Sequence, residues 1–156
     1  MNPETFEVIT RADTFDVRDV IARFEELETA LQDAHAEDTA GLEFDGWLAS
    51  VILTSIERAP EHEMLVEAVE FQQITEFLES VAGYGGDEQW RGDWYPVTFI
   101  AHSYFTEYAE ELANDVCDMK NSTNWPFNCI DWDKAARELA YDYSIATVGE
   151  SDFYYR

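Results

Sequence analysis

The chain of 156 residues carries 34 acidic residues against 9 basic ones, a formal charge of −25, and 46% of it is hydrophobic and 15% aromatic. That apolar content excludes an acidic disordered tail and supplies a core for one compact domain or two small subdomains. The charge argues against nucleic acid or an anionic membrane as partner, since both would be repelled.

In chain order, FEVIT at 6–10 predicts a short strand with Phe6 and Val8 on one face. Thr14 or Asp16 is a candidate cap for a long helix over 15–36, whose Val17, Ile21, Phe24, Leu27, Leu31 and Ala34 keep a three-four spacing. Thr39-Ala40-Gly41 breaks that helix. A second, over 46–58, starts from Asp45 as N-cap and buries Trp47, Leu48, Val51, Ile52 and Ile56. Pro60 suits the first turn of a third, over 61–82, with Leu65, Val69, Phe71, Ile74, Phe77, Leu78 and Val81 inward. The glycine- and aromatic-rich GYGGDEQWRGDWYP reads as a connector. It divides the chain into a helical subdomain at 1–82, a connector at 83–95 and a second subdomain at 96–156.

Beyond the connector, PVTFIA predicts a short strand, and Ser103 caps a helix over 104–118. NSTNWPFN is a loop, Asp131 caps a helix over 132–142, and SIATVGESDFYYR reads as a hairpin about its Gly-Glu-Ser turn. The fold class is therefore α+β and mostly helical, with acidic amphipathic helices and small β elements near the C-terminus.

The charge is spread along the whole chain. Lys120 and Lys134 are the only lysines, and no base falls between Arg23 and Arg58, Arg58 and Arg91, or Arg91 and Lys120. A globule of this length has a diameter of about 40 Å, and ~25 charges occupy about 42 Å of duplex DNA. Per unit length the protein is about as negative as DNA. The clearest case is SYFTEYAEELANDVCD, where Glu107, Glu111, Asp115 and Asp118 recur at helical spacing opposite Phe105, Tyr108, Ala109, Leu112, Ala113 and Val116. No base answers these acids at i+3 or i+4, so the helix forgoes the ~0.2–0.5 kcal/mol of each such pair.

Metal and catalytic patterns fail on inspection. An EF-hand loop fitted from Gly41 has Glu43, Asp45 and Gly46 but no acid at its start, and Ile52 stands where the bidentate Glu belongs. His62-Glu63 begins like a zincin motif, yet Val66 replaces its second histidine, and His35 and His102 are remote in sequence. Among so many acids no cleft signature selects a glycosidase pair. We expect no catalytic residue, no metal and no cofactor. Trp90, Trp94 and Tyr95 read as core or interface anchors, with ligand binding as the alternative. Cys117 and Cys129 read as reduced and structural. With no apolar leader or spanning run, a cytoplasmic location is expected, the host cytoplasm if the gene is carried by a phage or plasmid.

From about residue 96 to 156, the YF-x-EYA-EELA-x-D helix, the NWP-x-N loop, the IDW-x-x-AA-x-EL-x-x-DY helix and the closing Tyr-Tyr-Arg resemble the C-terminal part of ArdA-type antirestriction proteins. That family comprises dimeric, elongated DNA mimics that occupy the DNA groove of type I restriction-modification enzymes. The resemblance implies the same evasion of host defence here. Independently, acids repeating about every 5.4 Å along a helix suit a channel whose Lys and Arg bind phosphates. The expected contact face comprises Glu107, Glu110, Glu111, Asp115 and Asp118, continued by Asp131, Asp133, Glu138 and Asp142, with further reach through Glu26, Asp33, Glu67 and Glu70. Trp125, Phe127, Trp132, Phe153, Tyr154 and Tyr155 are candidate anchors of a homodimer, or they close the C-terminal core. Three alternatives stay open: a DNA mimic aimed at a CRISPR effector, a generic acidic adaptor for some other basic protein, and a halophilic protein.

Overall fold

The computed structural model describes residues 4–38, 41–53, 62–117 and 124–156. It is a mostly helical α+β structure of two compact units, one comprising Met1–Ile9 and Arg18–Ser80, the other Thr10–Val17 and Val81–Arg156.

The first unit begins with α1 (Phe6–Thr10), where the sequence predicts a strand. Its buried residues, Phe6 and Ile9, are three apart, and Val8 is 48% exposed. That is the period of a helical turn, and Thr5 Oγ1 accepts from the Val8 N–H at its start. The long helix α2 (Val17–Glu37) buries the predicted stripe of Val17, Ile21, Phe24, Leu27 and Leu31, with Val20 added. Next, α3 (Phe44–Leu53) holds Trp47 and Val51 inward, and Asp45 lies inside its first turn instead of capping it. The predicted extension to 58 and the start at Pro60 fall outside the described residues. The last helix, α4 (Leu65–Val81), buries Phe71, Ile74, Phe77, Leu78 and Val81. Ring contacts Phe24–Phe71 at 4.8 Å and Phe6–Phe77 at 5.7 Å tie these helices together. Trp47, 2% exposed, satisfies its indole N–H on Asp38 Oδ2 at 3.0 Å.

The second unit is built on a four-stranded antiparallel sheet in the order β1-β4-β6-β5. Its strands are β1 (Thr14–Asp16), β4 (Thr98–Ala101), β5 (Ser144–Val148) and β6 (Ser151–Tyr155). β1 was not foreseen. Thr14–Asp16 reads as the cap region of a helix, yet it pairs with β4 in the register Phe15↔Phe99. The predicted connector also contains structure, a separate hairpin of β2 (Glu88–Trp90) and β3 (Asp93–Tyr95). Its turn residues Arg91 and Gly92 have φ of 49° and 87°, which a type I′ turn demands. The C-terminal hairpin forms as predicted, with Gly149 at φ 61° in its two-residue turn.

One face of the sheet carries Phe15, Phe99, Phe153 and Tyr155, with Phe15 stacked on Phe99 at 4.9 Å. The other carries Ile100 and Tyr154, which pack against α5 (Phe105–Val116) and α6 (Trp132–Leu139) through Phe105, Ala109 and Ala136. Asp131 caps α6 as expected, its carboxylate accepting from the Lys134 N–H at 3.1 Å. Ser103 does not cap α5. It sits in a 3-10 turn at His102–Tyr104, which leaves Tyr104 at the N-cap without a side-chain bond.

Candidate functional site

No charged residue among the described ones is buried, so the acids lie at or near the surface. On α5, Glu107, Glu111 and Asp115 follow at intervals of four and occupy an arc of about 80°. All three are exposed, and Glu110 beside them is half-buried. None forms an ion pair with a described residue. The apolar side of the helix does what its pattern requires. Phe105 and Ala109 are buried and Tyr108, Leu112 and Ala113 half-buried, though Val116 near its end is 72% exposed. Asp118 lies outside the described residues.

Beside Glu111 a hydroxyl donor stands where a base would. Tyr104 Oη donates to Glu111 Oε1 at 2.6 Å, two turns away on the same side of the helix. That bond, with smaller contributions from desolvation and the Glu111 charge, pushes the Tyr104 hydroxyl up to about 12. Thr106 Oγ1 on α5 donates to Asp133 Oδ1 on α6 at 3.4 Å, a polar contact between the two helices. Deeper in, Tyr143 and Tyr108 share a hydroxyl contact at 3.3 Å, and burial together with that contact raises Tyr143 to about 12.

On α6 the exposed Asp131, Asp133 and Glu138 are joined by exposed Asp142 in the following 3-10 turn. The row is interrupted by Lys134 and Arg137, neither of which closes an ion pair with a described residue. The α6 side is therefore mixed in sign where the sequence suggests a continuation of the α5 row.

The N-terminal candidates belong to the other unit and behave differently. Asp33 is exposed. Glu70 is turned inward, with side-chain exposure of 13%, and forms a bidentate pair with the Arg23 guanidinium, whose Nη1 also donates to Glu26 Oε2 at 2.8 Å. The two carboxylates hold Arg23 above its ordinary range. Glu67 Oε2 is buried without a hydrogen-bond partner. Glu26, Glu67 and Glu70 thus serve poorly as free surface charge. Sequence spacing shows the Arg23–Glu26 pair, three residues apart, but not the Arg23–Glu70 pair, 47 residues apart.

The aromatic candidates also divide. Phe153 (1% exposed) and Tyr155 (5%) are core residues of the sheet, and Tyr154 packs on Phe105 and stacks with His102. Trp125 at 80% and Phe127 at 37% exposure remain outside, and Trp132 is half-buried. Tyr154 and Phe105 also floor an open groove of about 450 Å³ along α6, with His102, Asp133, Arg137 and Tyr141 at its sides.

His35 and His62, the two histidines of the first unit, have structural uses. His35 Nε2 donates to the Leu42 carbonyl at 2.7 Å, and His62 Nδ1 accepts from the Met64 N–H while its ring lies edge-on to Trp47. Among the described residues, no group of three His, Cys, Asp or Glu side chains could hold a metal ion, and no helix is long and apolar enough to cross a membrane. Set against known proteins, the chain matches no family model, no curated protein and no solved structure.

Proposed function

We propose that this protein is a DNA mimic that inhibits a DNA-binding defence enzyme, with type I restriction-modification enzymes as the first target. The observation that carries the reading is the α5 row. Glu107, Glu111 and Asp115 stand exposed on one side of a helix, about 6 Å apart along its axis, with no ion pair to a described residue. Like-charge neighbours at i+4 each cost the helix a few tenths of a kcal/mol. A basic groove on a partner repays that cost, and binding there releases counterions from both surfaces. The resemblance of residues 96–156 to ArdA-type proteins points to the same class of target.

In this reading α5 is the principal contact and α6 contributes through Asp131, Asp133 and Glu138, with its two bases at the margin. The first unit supplies further exposed charge, including Asp33. If the protein forms a homodimer, Trp125 and Phe127 are the candidate anchors, since Phe153 and Tyr155 are committed to the core.

The test is displacement. Labelled duplex DNA bound to a purified type I enzyme should be released by stoichiometric protein, and the same protein should not displace DNA from a CRISPR effector. Release from the effector alone would transfer the reading to that target, and release from neither would leave an acidic adaptor or a halophilic protein.

A further inference from the structure

The sheet of the second unit ends at β5, which pairs on one side with β6 and has no other backbone partner among the described residues. Across the two-residue turn the register runs Val148↔Ser151, Thr147↔Asp152, Ala146↔Phe153, Ile145↔Tyr154 and Ser144↔Tyr155. In such a hairpin the pair that flanks the turn exchanges hydrogen bonds and every second pair repeats it. Val148, Ala146 and Ser144 therefore bond to β6, and the N–H and C=O groups of Ile145 and Thr147 point to the open side.

Edges of this kind are ordinarily blunted by charge, by proline or by shortness. The opposite edge, β1, follows the rule, being three residues long and ending in Asp16. β5 does not. Its five residues, SIATV, carry no charge and no proline, in a chain where more than a quarter of the residues are charged. Ile145 is 55% exposed, and its cross-strand neighbour Tyr154 lines the same groove as Tyr141, which is 87% exposed.

We propose that this edge captures an extended segment of a basic partner protein by strand addition, in the manner of β-augmentation. The incoming strand would have an uncharged, β-branched middle, an apolar side chain beside Ile145, and Lys or Arg at the end nearest the turn. Charge selects that occupant. Glu150 and Asp152 are exposed at the turn end of the strand, and Asp142 precedes its start, where Arg156 is already engaged over the Tyr143 ring at 5.5 Å. A second copy fits badly. Antiparallel pairing about Ala146 would set Asp142 opposite Glu150 at both ends and bring two chains of −25 together. The site is distinct from the α5 row and does not depend on it.

The test uses the full chain and a fluorescein-labelled peptide of alternating Thr and Val with two lysines at one end, which either strand direction can place beside the turn. Anisotropy should show binding. It should weaken at least about tenfold when the lysines become glutamates, and by a similar factor when every peptide nitrogen of the Thr/Val stretch is methylated, since neither edge of the peptide can then donate to β5. Ile145→Pro removes an outward N–H and no β6 bond, and should weaken binding with the circular dichroism unchanged. If that variant misfolds, the methylated peptide still decides, because it leaves the protein intact. Neutralising Glu107, Glu111 and Asp115 should leave the methylation effect in place. Equal binding of the plain and methylated peptides would overturn the proposal, showing that surface charge alone holds the lysines. Concentration-dependent self-association that Ile145→Pro abolishes would also overturn it, giving the edge to a second copy.

Discussion

Tyr104 and Tyr143 keep their protons for different reasons, and Glu111→Gln separates them. For Tyr143 burial is the larger cause, for Tyr104 the hydrogen bond to Glu111. A phenol whose folded value lies above the ordinary 10 favours the fold in its neutral form. The stability Tyr143 contributes is therefore complete below about pH 10 and is lost as pH rises through about 12. Ultraviolet phenolate absorbance should show Tyr104 and Tyr143 ionising late, with thermal stability falling across the same window. Glu111→Gln should bring Tyr104 back toward the ordinary range and leave Tyr143 late. Ionisation of both near pH 10 would contradict these contacts. At this scale the sequence reveals the acids but not their neighbours. Tyr104 lies two turns from Glu111 and Arg23 lies 47 residues from Glu70, and each acid's role follows from which of these it meets.

The elements show where periodicity is informative and where local turn chemistry takes over. Long apolar stripes identify α2, α4, α5 and α6, since burying such a stripe decides the conformation of a whole helix. Short segments fail that test. FEVIT has too few residues to tell period two from a helical turn, and Thr14–Asp16 becomes a strand only because β4 is there to pair with it. The hairpin inside the connector was legible from Arg91-Gly92 between aromatic runs, a two-residue turn signal hidden among the other glycines. Those glycines are not equivalent. A Cβ built on Gly85 would lie 2.0 Å from the Pro96 nitrogen, whereas one on Gly86 meets nothing within 4 Å. Gly85→Ala should cost on the order of 2 kcal/mol or more in denaturant unfolding, and Gly86→Ala should change little. Equal effects from the two would mean that the backbone does not pass that close.

For the whole molecule the governing quantity is a charge of −25, visible in composition alone. Self-repulsion on this scale opposes the compact state and is screened by salt. The melting temperature should rise with sodium chloride while the protein stays folded in dilute buffer. A chain that folds only at molar salt would instead be a halophilic one. The proposed function would respond to salt with the opposite sign, because pairing with a basic groove is weakened by the ions that relieve repulsion within the chain. Single changes such as Glu107→Gln should matter little, since exposed rim charges act mainly on the encounter rate. The most direct measurement is the inhibition constant against DNA binding by a purified type I enzyme, at low and moderate salt. It should be taken for the native chain and for one bearing Glu107→Gln, Glu110→Gln, Glu111→Gln and Asp115→Asn together. DNA mimicry predicts inhibition that weakens steeply with salt in the native chain and falls by at least about tenfold in the neutralised one, which should remain folded and no less stable. Inhibition indifferent to both salt and neutralisation would contradict it.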